Sequence, residues 1–196
     1  PHVTLAAPES TRSPTVSDLP TSETRAQTRW LPLAEARLAM SPAWQRWVGS
    51  RDSLTLRLTE AGAPRPFRVR LLDQRLDAPR PDEARALGIA PGQRAWLREV
   101  ALCLGERPWV VARSVAPLTG LPEQELAHLG ERSLGSWLFR QPDLERGEIE
   151  ATSAPAGFHE ASGPWGRRSV FRRGDFRVLV QEWFLDAMAD DLGLPS

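Results

Sequence analysis

Apolar positions in this chain fall into short alternating runs separated by glycine and proline, and those runs predict strands. Phe67 to Leu76, Ala95 to Leu104, Trp109 to Pro117, Glu148 to Ser153, Arg167 to Arg172 and Phe176 to Leu185 all alternate. Period-two alternation marks a strand with one face toward a core. Ser53 to Thr59 reads the same way. Gly105-Glu106 and Gly174-Asp175 separate successive runs, as tight hairpin turns require. Helices are predicted where caps appear. Ser41 followed by Pro42 starts one, because Ser accepts the free first-turn N–H groups and Pro suits the first helical position. Gly88 stops another over Asp82 to Leu87. Leu121 to Leu129, ending at Gly130, and Leu134 to Phe139 complete the set. The fold class is α+β: one antiparallel sheet of about six strands with helices packed on one side.

Three charges interrupt the apolar faces of these strands. The alternating sets are Trp96, Arg98, Val100, Leu102; Trp109, Val111, Arg113, Val115; and Phe176, Val178, Val180, Glu182, Phe184. Side chains two apart share a face, so Arg98, Arg113 and Glu182 are expected in the interior. A turn centred on Gly105-Glu106 places Arg98 opposite Arg113, Val100 opposite Val111 and Leu102 opposite Trp109. Like charges across a sheet repel, more strongly in an apolar enclosure. An anion beside them offsets that repulsion, and guanidinium grips carboxylate with parallel hydrogen bonds. The competing reading is a buried salt-bridge network, in which the last hairpin sets Arg167 opposite Glu182. Glu99 points to the other face from Arg98, as a solvated or helix-facing partner.

Composition narrows the chemistry. The 196 residues fit one domain with a tail. Residues 1–28, rich in Pro, Ser, Thr and Ala and without periodicity, predict disorder; residues 29–190 form the folded unit. Twenty-five basic and 25 acidic residues balance to zero, which argues against a nucleic-acid partner held by a broad basic surface. No lysine is present, which excludes Schiff-base chemistry. Tyrosine is absent too, and Cys103 is the single cysteine, read as a packed small side chain. His2, His128 and His159 lack ligand spacing, so no metal site is predicted. Ser114 and Ser169 have no neighbouring His motif, and no phosphate-binding glycine pattern occurs. With no apolar membrane span and no signal-like start, a cytoplasmic location follows. A monomer is expected.

Several blocks carry a resemblance. Trp96-Leu97-Arg98-Glu99-Val100, Gly105-Glu106-Arg107-Pro108-Trp109, Ala112-Arg113-Ser114-Val115 and Leu134-Gly135-Ser136-Trp137-Leu138-Phe139 are similar to segments of the chorismate pyruvate-lyase family. Asp52 to Arg57, Trp165-Gly166-Arg167-Arg168-Ser169 and Glu182-Trp183-Phe184-Leu185 extend the match over residues 30–187. The resemblance implies a chorismate lyase-like catalytic domain that takes pyruvate from chorismate and leaves 4-hydroxybenzoate, toward ubiquinone. It implies no cofactor, no metal, and a ligand enclosed under two flaps of an antiparallel-sheet fold. It assigns catalytic roles to Arg98 and Glu182, backbone contacts to Leu54 and Leu134, and ligand passage to Arg113. The family often has Met where Leu54 stands.

The alternative is a non-catalytic small-molecule sensor, since a related fold serves as the effector-binding part of bacterial transcription regulators. Such a sensor is expected to follow a winged-helix DNA-binding domain. The segment before Trp30 is short and polar, which favours the enzyme.

Overall fold

All ten residues of strand β3, Ala95–Leu104, are buried, so both faces of the sheet around it must be covered. The computed structural model describes residues 28–127, 129–159 and 162–195. Most of the expected tail, with His2, lies outside these residues, as does His128. β3 is flanked by β2, Phe67–Asp77, and β4, Arg107–Pro117. β4 in turn pairs with β8, Phe176–Phe184, and β8 with β7, Trp165–Arg173. β6, Glu150–Thr152, and β1, Leu31–Pro32, finish that edge, while β5, Glu145–Arg146, also pairs with β7. Every pairing is antiparallel. Among the described residues the sheet has eight strands rather than about six. β1 and β5 contain two residues each, too few to display an alternation.

Ser53 to Thr59 is not a strand. Leu54–Gly62 is a helix whose N-cap, Ser53, accepts from the Leu56 N–H at 3.4 Å. A Leu-x-Leu-x-Leu pattern fits both periods, because positions i and i+4 also share a helix face. Burial decides between them: Leu54 and Leu58 are buried while Leu56 is 57% exposed. The helix lies close on the sheet, where a Cβ at Gly62 would stand 2.3 Å from Leu104 Cδ1.

The described helices are α1, Leu33–Ala36; α2, Pro42–Val48; α3, Leu54–Gly62; α4, Pro81–Leu87; α5, Glu123–Ala127; α6, Leu134–Leu138; and α7, Asp186–Leu192. Trp44, Trp47, Leu54, Leu58 and Met188 pack on Val100, Leu102, Val110 and Phe184. Leu126, Leu134, Trp137 and Leu138 pack on Trp96, Phe171, Phe176 and Val178. Both clusters lie on the Arg98 face, where the helices gather as expected. The exception is α4, whose Leu87 packs with Leu97, Val115 and Leu179 on the other face. Trp30, Ala156 and Phe158 cover the rest of that face beside Cys103 and Trp183. No described helix is long and apolar enough to cross a membrane.

The expected pairing of Arg98 with Arg113 is wrong by one residue. Register shifts after Leu102, which pairs with Val110 while Cys103 pairs with Pro108. Trp109 is therefore an extra residue, a β-bulge. Pro108 has no N–H to give the ladder, and the Trp109 indole donates to Asp191 at 2.7 Å instead. Beyond the bulge every β4 side chain changes face. Arg98 now pairs with Ser114, and Arg113 pairs with Glu99, a favourable cross-strand combination in place of a repulsive one.

Arg113 is consumed by a buried network on the far face. Its Nε and Nη2 donate to the two Glu83 carboxylate oxygens at 2.6 and 3.1 Å, and its Nη1 donates to Glu99. Gln181 also donates to Glu83, at 2.7 Å, and the Arg80 N–H donates to it at 2.8 Å. Burial pushes the Glu83 carboxyl upward, but the Arg113 hydrogen bonds and charge outweigh it and hold the group below its ordinary value. A depressed carboxylate stabilises the fold fully above its unfolded pKa, about 4.3, and loses that contribution as pH falls through the folded value. Glu83→Gln is expected to lose about 3 kcal/mol at neutral pH and to show a shallower acid decline than the parent. Urea denaturation at a series of pH values measures both.

Candidate active site

Two adjacent rungs of the sheet build the floor of a cavity. One runs Arg98, Ser114, Val180, Ser169 across β3, β4, β8 and β7; the next runs Val100, Ala112, Glu182, Arg167. Rungs two residues apart point to one face. The small side chains of Ala112 and Ser114 on the central strand leave a pit, with charged groups on either side. The bulge at Trp109 brings those small residues inward and sends Arg113 outward.

The roof comes from two helix beginnings. Ser53 caps α3, and Ser133 caps α6 by accepting from the Ser136 N–H at 3.2 Å. Thr55 Oγ1 and Ser133 Oγ stand 2.7 Å apart, tying the two turns together. Leu54 and Leu134 are the first helical residues, whose N–H groups have no partner within the helix and carry the positive end of its dipole. With Leu138, Phe139 and Phe171 they line a small cavity of about 50 Å³.

Arg98 is 2% exposed, yet among the described residues it makes no ion pair. Its Nη2 donates to the carbonyls of Gly130 and Arg132 at 2.7 and 3.0 Å, while the buried Nε has no partner. Burial pushes its pKa below the ordinary arginine value. A buried donor left unbonded is costly, and an uncompensated buried cation more so. This guanidinium lines the cavity.

Arg167 and Glu182 face each other across the last hairpin, as expected, with Nε to Oε2 at 2.6 Å. Arg167 Nη1 also donates to the Trp47, Val48 and Ser50 carbonyls, the negative end of α2. Glu182 keeps its Oε1 without a hydrogen bond to any described residue, and it too lines the cavity. Arg146 is a third guanidinium there, donating from Nε to Ser169 at 3.1 Å and from Nη1 to the Ser50 carbonyl at 3.2 Å. The lining acids are Glu182 and the exposed Asp52. Cations therefore exceed anions inside.

Of the expected site residues, the structure brings Leu54, Arg98, Leu134 and Glu182 to one cavity, and it separates Arg113 from them by the thickness of the sheet. Arg146 escaped sequence reasoning, because a two-residue strand shows no face pattern. Positive charge, a free carboxylate oxygen and two first-turn N–H groups without helical partners suit a small acid with a hydroxyl.

Comparison with known proteins finds the following likenesses. The family model described as chorismate lyase matches residues 25–190. A probable chorismate pyruvate-lyase of Chromohalobacter salexigens is 60% identical over 172 residues, covering 85% of this chain and 93% of that protein. One from Pseudomonas aeruginosa is 43% identical over 171 residues, covering 84% and 95% respectively. Among solved structures, the possible transcriptional regulator YydK of Bacillus subtilis is 12% identical with a TM-score of 0.46, covering 83% of this chain and 87% of that one.

Proposed function

The chain belongs to the chorismate lyase family, and on that footing we propose that it eliminates pyruvate from chorismate to leave 4-hydroxybenzoate. The observation that carries this reading is Arg98, a buried cation whose Nε lacks any partner in the cavity wall. Chorismate brings two carboxylates and one hydroxyl. Its ring carboxylate completes Arg98, and its 4-hydroxyl donates to the open Oε1 of Glu182. The Leu54 and Leu134 N–H groups bind the remaining oxygens along the roof.

The reaction breaks the C3–O bond of the enol ether. The hydrogen on C4 moves to the terminal methylene of the departing arm, which becomes the methyl of pyruvate, while the C3–O pair forms the ketone carbonyl. Electrons of the C4–H bond close the C3=C4 double bond, and the ring becomes aromatic. Transfer within the substrate needs no protein base, so the protein's task is to hold ring and arm in reactive geometry. Arg98 and the roof N–H groups then stabilise charge that develops on the oxygens. Glu182 orients the hydroxyl, with one oxygen already held by Arg167. Supply of the ubiquinone ring and a cytoplasmic location follow as extensions of this reading.

Incubation of the purified protein with chorismate tests it. Equal amounts of 4-hydroxybenzoate and pyruvate are expected, the first by chromatography and the second by coupled reduction to lactate. No release of either product would overturn the proposal and favour a sensor. Formation of 3-hydroxybenzoate would show that the arm is cleaved with different regiochemistry.

A further inference from the structure

We propose that Arg146 holds the enolpyruvyl carboxylate of the substrate, the one that departs on pyruvate. The inference rests on the chorismate lyase reading and assigns its second anion subsite.

Substrate chemistry sets the location. The ring carboxylate at C1 and the hydroxyl at C4 are para to each other, and the enolpyruvyl arm leaves C3, next to C4. With C1 toward Arg98 and the hydroxyl toward Glu182, the second carboxylate lies beside Glu182, at the end away from Arg98. Two guanidiniums line the cavity there, Arg146 and Arg167. Arg167 is occupied by Glu182 and three backbone carbonyls. Arg146 is not, since its Nη2 makes no hydrogen bond and its guanidinium no ion pair among the described residues.

Arg146 is also held in place without an acid. β5 pairs Arg146 with Phe171, and the guanidinium lies 5.2 Å from the centre of that ring. Ser169 and the Ser50 carbonyl take two of its donors, and its own carbonyl accepts from Arg51 at 2.8 Å. Such a cation needs little reorganisation to receive a carboxylate. Burial, and then the Arg167 charge, push its pKa down to about 10. An anion between the two guanidiniums relieves that repulsion. Holding the arm at its carboxylate also fixes the methylene relative to the C4 hydrogen, so the contact serves reaction geometry as well as affinity.

Product and substrate differ in the group concerned, which makes the proposal testable. Arg146→Gln is expected to lower kcat/KM for chorismate about 100-fold, while affinity for 4-hydroxybenzoate, which lacks the second carboxylate, stays within about threefold. Arg146→Lys is expected to recover part of the loss, as a point charge without the paired donors. Parallel loss of 4-hydroxybenzoate affinity would overturn the assignment and mark a structural residue, and so would unchanged kcat/KM. Wild-type protein supplies an arm independent of folding. 4-Hydroxybenzoate carrying a 3-carboxymethoxy group should bind at least tenfold more tightly than 4-hydroxybenzoate by calorimetry. No such preference, in protein that converts chorismate, would overturn the Arg146 subsite alone. Absence of conversion by the wild type would overturn the chorismate lyase reading itself.

Discussion

Arg98→Met is expected to lose about 1,000-fold in kcat/KM for chorismate, roughly 4 kcal/mol of transition-state stabilisation, and to fold at least as stably as the parent. The two effects share one cause. Arg98 is nearly inaccessible, rests on two carbonyl oxygens and leaves Nε unbonded. Its charge is therefore a burden on the empty protein that an anionic ligand relieves. Methionine fills similar space without the burden, and replacing buried charge by apolar atoms is commonly neutral or stabilising by about 1–4 kcal/mol. The Gly130 and Arg132 carbonyls lose a donor, which offsets part of that gain. Pyruvate release measures activity, and urea denaturation measures stability. Retained turnover would remove Arg98 from the chemistry. A large loss of stability would show that the guanidinium serves the fold.

Glu182→Ala is expected to destabilise the fold by about 3–5 kcal/mol, because removing one partner leaves a buried charge uncompensated. Arg167 is 2% exposed, and its only ion pair among the described residues is with Glu182. The carbonyls of residues 47, 48 and 50 remain as acceptors, but none supplies negative charge of a full unit. Arg167 also joins the end of α2 to β7, so the loss reaches that helix as well. Glu182→Gln keeps one oxygen acceptor for Arg167 and turns its amide NH2 to the substrate hydroxyl, which can accept from it. Its turnover is expected within about tenfold of the parent, since the hydrogen moves within the substrate. A much larger loss with Gln at preserved stability would instead make Glu182 the base that takes the C4 proton. Thermal unfolding and steady-state rates on the two variants separate these cases.

What sequence reveals here depends on how local the cause is. Arg98 and Glu182 were legible as interior charges because alternation along a single strand depends only on neighbouring residues. The Arg167–Glu182 pairing was legible too, since β7 and β8 meet at a tight turn with no irregularity. Arg113 was misplaced because one extra residue at Trp109 reverses the face of everything after it. That bulge is stabilised by Asp191, distant in sequence, and by the absent N–H of Pro108, whose meaning emerges only once the hairpin is formed. Ser53 to Thr59 was misread because three leucines at alternate positions satisfy two periods, and burial of Leu54 and Leu58 against the sheet, with Leu56 exposed, settles which one forms. Leu54 and Leu134 entered through resemblance alone, while their physical merit, first-turn N–H groups beneath serine caps, required seeing both helix starts meet. Arg146 had no pattern to betray it.

The central claim is that Arg98 is left without a counter-ion so that a carboxylate can complete it. A crystal structure with bound 4-hydroxybenzoate tests this directly. The account predicts the ligand carboxylate at hydrogen-bond distance from Arg98 Nε, with the phenol against Glu182 Oε1. Ligand bound elsewhere, with Arg98 still touching only the Gly130 and Arg132 carbonyls, would contradict it.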